Sequence, residues 1–110
     1  MELKAVADIY SDEGITCLSF HDSSIDYGVA LTKSDESEGV EVLYRDQDLF
    51  QLGKAEIVLK RDALVATFEQ KELPFVSIRI LKGNYSYSQI LDALKVILDE
   101  CEEVKFYYDS

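Results

Sequence analysis

Apolar residues return at every second position through most of the chain. Leu3, Ala5, Ala7 and Ile9 alternate with Glu2, Lys4 and Asp8, the pattern of a strand with one face buried and the other in water. Ser11-Asp12-Glu13-Gly14 reads as a turn, because glycine takes positive φ freely and Ser and Asp bond their own backbone. Residues 15–20 predict a second strand, closed by a turn at His21-Asp22-Ser23-Ser24. Residues 27–32 predict a third, and a polar loop over residues 34–39 leads to a fourth at residues 40–44. The stretch 45–53, with Asp46, Gln47 and Asp48, reads as irregular.

Ala55, Ile57 and Leu59 then alternate with Glu56 and Lys60, and a tight Arg61-Asp62 turn leads into Leu64, Ala66 and Phe68. This is the clearest hairpin in the chain, although its turn lacks the glycine of the commonest two-residue type. Residues 69–73 make another turn. Pro74 marks a strand start, where a missing N–H is tolerated, and Val76, Ile78 and Ile80 follow.

One helix is expected. Ser86 with Gln89 three residues later is a capping box. Ile90, Leu91, Leu94, Ile97, Leu98 and Cys101 fall on one face at spacings of three and four, with Asp92, Lys95 and Asp99 opposite. A stripe of this kind packs on a sheet or binds a partner. Residues 104–108 read as a short final strand. The pattern therefore predicts one α+β domain over residues 1–110: a largely antiparallel sheet of about six to eight strands with one C-terminal helix packed on it.

Composition agrees with a folded chain. Apolar residues make up 47% and aromatic residues 11% of 110 residues, more than a disordered acidic segment carries. No apolar run reaches the eighteen or so residues of a membrane span, and the N-terminus lacks a signal-peptide pattern, so a cytoplasmic protein is expected. Cys17 and Cys101 occupy apolar phases and read as buried free thiols.

Charge adds most to this picture. Residues 1–50 carry twelve Asp/Glu against three Lys/Arg, a balance of −9, whereas residues 51–98 balance at +2 and residues 99–110 at −4. A face of this kind attracts basic partners and repels nucleic acid and anionic membranes. The candidate partner-binding surface is Asp35, Glu36, Glu38 and Glu41, continuing to Asp46 and Asp48. Tyr27, Tyr44 and Phe50 are its candidate apolar anchors.

Catalytic and metal chemistry finds little support in the residues. His21, the only histidine, sits in a turn with no nucleophile placed beside it by sequence logic. Asp46 and Asp48 begin an alternation that fails to become a calcium loop. No Cys-x-x-Cys, glycine-rich phosphate loop or dinucleotide fingerprint occurs. No cofactor, metal or catalytic residue is expected.

Several segments together resemble a known family. Residues 15–22 (ITCLSFHD) look like a hydrophobic strand ending in a Phe-x-Asp turn, and residues 27–33 like the strand that follows. Asp46-Gln47 matches an Asp-Gln step, and residues 55–66 a strand, Arg-Asp turn and strand. The chain thus resembles immunity protein family ten of bacterial polymorphic toxin systems. It departs from that family at Leu52-Gly53, where a glycine pair is usual.

The resemblance implies an antidote that binds a cognate toxin protein and blocks it without catalysis, as a monomer or weak homodimer. The acidic face suits a basic toxin such as a nuclease. Two readings compete with it. One is a small ligand-binding or enzyme domain with a cleft between sheet and helix, using His21 with Asp22 or Asp26. The other is a subunit that oligomerises through an exposed sheet edge.

Overall fold

The computed structural model describes residues 1–36, 39–71 and 75–109. Glu38 of the candidate surface and the strand start at Pro74 lie outside the described residues. The elements run β1 (Glu2–Asp12), β2 (Ile15–Asp22), β3 (Tyr27–Ser34), β4 (Val40–Tyr44), β5 (Asp48–Gln51), β6 (Ala55–Lys60), β7 (Ala63–Phe68), β8 (Phe75–Leu81), α1 (Tyr87–Leu98) and β9 (Val104–Tyr108). The nine strands of the described residues join one open sheet in the order β5-β4-β3-β2-β1-β8-β7-β6-β9. Pairing is antiparallel except at β1–β8 and β6–β9, which are parallel.

The α+β class and the single helix agree with the sequence pattern, but the strand count exceeds six to eight. The additional strand is β5, inside the stretch that reads as irregular. Its hairpin with β4 turns through Arg45 and Asp46, both at positive φ (57° and 60°), and Gln47 N–H donates to the Tyr44 carbonyl at 3.2 Å. Two consecutive positive φ values are what the common hairpin turn needs, and Asn or Gly normally supplies them. Arg-Asp carries no such signal.

Period-two alternation places Leu3, Ala5, Leu18, Phe20, Val29, Leu31, Val40, Val42, Ile57, Leu59, Leu64, Ala66, Val76 and Ile78 on one face. The helix covers that face with Ile90, Ala93, Leu94, Ile97 and Leu98. Ser86 caps α1: its oxygen accepts from Gln89 N–H at 3.2 Å, while its own N–H donates to Gln89 Oε1 at 2.8 Å. The helix ends before Cys101, which still packs against the core from the following turn. Both thiols are free and half-buried, not fully buried as the sequence implies.

The sheet curls around the helix. Nine strands about 4.8 Å apart would span about 38 Å if flat, yet the longest principal extent is 32 Å. Gln70, just after β7, donates from Nε2 to the Gln51 carbonyl at 3.1 Å, although β7 lies six strands away from β5 in the sheet order. The face opposite the helix is therefore convex.

Candidate functional site

Two polar regions lie at opposite ends of β3. The first is built on the turns after β2 and β4. Asp22, the last residue of β2, is buried at 6% exposure and accepts from Lys4 N–H (2.9 Å), Ser24 N–H (2.9 Å) and Ser24 Oγ (2.6 Å). The Ser24 hydroxyl, then the Lys4 N–H, hold its carboxyl below the ordinary aspartate range despite burial. Its carbonyl accepts from Ile25 and Asp26 N–H groups, and Asp26 reaches φ 58°. Gly28 is required opposite His21, because a Cβ there would lie 1.8 Å from the Phe20 carbonyl oxygen.

His21 joins the two turns. Its Nε2 lies 3.4 Å from Asp26 Oδ1 and its Nδ1 3.9 Å from Asp46 Oδ2. Arg45 stands over the Tyr27 ring at 5.6 Å and the Tyr44 ring at 5.5 Å, a cation–π arrangement that keeps both rings at the rim. The two carboxylates approach opposite nitrogens of one imidazole. The cluster therefore orders two turns and does not converge on a common point.

The second region is a corner where the curled sheet brings the β3–β4 connection beside the turn between α1 and β9. Two concavities of about 420 and 400 Å³ meet at Lys33 and Asp35. A third of about 240 Å³ continues along Glu100, Glu102 and Glu103. Asp35 N–H donates to the Gly14 carbonyl at 2.9 Å, fixing the loop against the β1–β2 turn. Cys101 lines this corner, where burial pushes its thiol up, Lys33 opposes and Glu100 adds.

The structure divides the acidic stretch that the sequence presents as continuous. Asp35 and Glu36 stand at the corner, while Tyr44, Asp46 and Asp48 stand at the His21 end, separated by the eight residues of β3, about 23 Å. Glu41 lies between them on the convex face, opposite Thr32 and Gln51. Phe50 points the other way and packs on the core. Asp99, Glu100, Glu102 and Glu103 join Asp35 and Glu36 at the corner. Their signal in the sequence was the −4 balance of residues 99–110, which a segment-by-segment view does not connect to residue 35.

Four of the cations are engaged away from carboxylates. Arg45 stacks as described, Arg61 lies 4.4 Å over the Tyr87 ring, Lys95 lies 4.8 Å over the Tyr108 ring, and Lys33 donates to the Val96 carbonyl. Among the described residues, the only ion pairs are those of His21 with Asp26 and Asp46.

A further cleft of about 350 Å³ lies between α1 and β1–β2, walled by Ile9, Tyr85, Ala93 and Val96. That is the low end of ligand-pocket volumes. Neither His21, Asp22 nor Asp26 lines it. Among the described residues, no group of three or more His, Cys, Asp or Glu side chains is placed to hold a metal ion. No described helix is long and apolar enough to cross a membrane.

The fold is thus a curled, mostly antiparallel nine-stranded sheet wrapped on one helix. Compared with known protein families, with curated proteins and with solved structures, the chain matches none.

Proposed function

We propose that this chain is a non-enzymatic binding protein that neutralises a basic toxin protein, of nuclease type, in the manner of the immunity family its sequence resembles. One observation carries the reading. The acidic surface is not neutralised from within, because the described Lys and Arg side chains make no ion pair with described carboxylates. A basic partner therefore meets carboxylates whose internal pairs need not first be broken. Such charges speed encounter and select the partner more than they deepen affinity.

The test is calorimetric titration against the protein encoded beside this chain's gene. The expected result is a Kd below about 1 μM at low salt, weakening steeply as NaCl rises. Absence of binding at low salt, with both proteins folded, overturns the reading.

One observation favours a second reading, a small ligand-binding domain: the apolar cleft between α1 and β1–β2. Small apolar compounds would then shift the Ala93 and Val96 methyl signals in NMR spectra.

A further inference from the structure

An antiparallel sheet with one face in water places polar residues on that face. The convex face of β1–β5 breaks this rule. Leu43 and Leu49 face each other across β4 and β5, Tyr10 faces Cys17 across β1 and β2, and Ile15 faces Asp12. Leu49 is 61% exposed, Tyr10 54% and Ile15 38%. Small residues floor the middle: Ser19, Gly28, Ala30 and Thr32.

Charge on the same face is one-sided. Its described charged residues are Glu2, Asp8, Asp12 and Glu41 against Lys4, with His21 at one end. The convex face of β6–β9 carries the opposite bias, with Lys60, Arg79 and Lys105 against Glu56. Large apolar side chains on either side of a small-residue middle, an acidic excess and outward curvature suit a concave basic surface with apolar walls. A second copy of this chain fits poorly, because two convex faces meet over little area and a net charge of −11 repels its like.

Resting on the toxin-binding reading, we infer that the convex face of β1–β5, which carries Leu49, Leu43, Tyr10 and Ile15, is the surface that enters a basic cleft of the partner protein. The acidic corner of Asp35 and Glu100 is then a flank that steers encounter. Leu49 and Tyr10 fill the role of buried anchors, while Asp8, Asp12 and Glu41 beside them meet Lys and Arg of the partner.

The experiment is titration of the protein encoded beside the gene with the intact chain and three variants. Leu49→Lys and Tyr10→Lys each raise the Kd about thirtyfold or more, the scale of an interface hot spot. Tyr107→Lys, on the convex face of β9, leaves it within about twofold. Urea midpoints close to that of the unsubstituted chain confirm that each variant is folded. Binding by the unsubstituted chain that Leu49→Lys and Tyr10→Lys leave unchanged, but Glu100→Gln with Glu102→Gln abolishes, overturns this face while sparing the toxin-binding reading. A dimer in sedimentation that Leu49→Lys dissociates also overturns it, by assigning the face to a second copy. No binding by the unsubstituted chain overturns both.

Discussion

Asp22 is the one buried charged side chain among the described residues, and its three hydrogen bonds tie the β2–β3 turn to the first strand. Its depressed pKa makes it a source of acid sensitivity. The folded carboxyl binds a proton less readily than the unfolded one, so its contribution is complete above the unfolded value of about 3.9. That contribution is lost as pH falls through the lower folded value. The urea midpoint is therefore expected to drop below about pH 4. In Asp22→Asn it should start lower at neutral pH and fall less steeply. A midpoint in the variant that tracks the unsubstituted chain across that range would contradict the assignment. The role was hidden in the sequence: Asp22 reads as a turn residue, and only the pairing of β1 with β2 brings Lys4 N–H to it.

At the scale of elements, α1 and the β6–β7 hairpin were legible because their signals are local. The helix shows its apolar stripe, and Ser86 with Gln89 announces its start. Ser86→Ala removes the oxygen that satisfies Gln89 N–H and is expected to cost about 1 kcal/mol, read as a lower urea midpoint with unchanged slope. Strand β5 was not legible. Its turn relies on Arg45 and Asp46 in a conformation that neither residue advertises, and the aromatic rings of Tyr27 and Tyr44 beneath Arg45 compensate. The parallel pairings of β1–β8 and β6–β9 were equally invisible, because strand alternation gives a face but no partner. The candidate surface failed to stay continuous for the same reason. Residues 35–48 are adjacent in sequence, yet β4 carries them from one end of the sheet to the other.

For the whole molecule, the distribution of charge predicts an unusual response to salt. A net charge of −11 without Lys/Arg–carboxylate pairs among the described residues means that folding concentrates like charges. Screening should relieve that repulsion. Raising NaCl from low to physiological concentration is expected to increase the unfolding free energy by roughly 1 kcal/mol at most, read as a higher urea midpoint. A protein held by surface ion pairs would move the other way. Salt should thus stabilise the free protein while weakening its complex, and measuring both on one sample separates the effects.

The parallel β1–β8 pairing also has a consequence for synthesis. Strands β1 to β5 each pair with a sequence neighbour, and so do β6, β7 and β8, so the first half can zip up while the rest is still being made. Strand β1, central in the finished sheet, is then left bare on one side. Glu2 pairs with Ser77 and Val6 with Leu81, so this flank waits until 75 more residues have followed Glu2. During that wait the nascent chain presents an unpaired edge bearing Leu3 and Ala5, a template for association with other chains. A chain truncated after residue 70 keeps that edge permanently open and is expected to aggregate, as light scattering would show, where the complete chain remains dispersed. Of the described strands, β1 waits through the longest stretch of chain for its second neighbour.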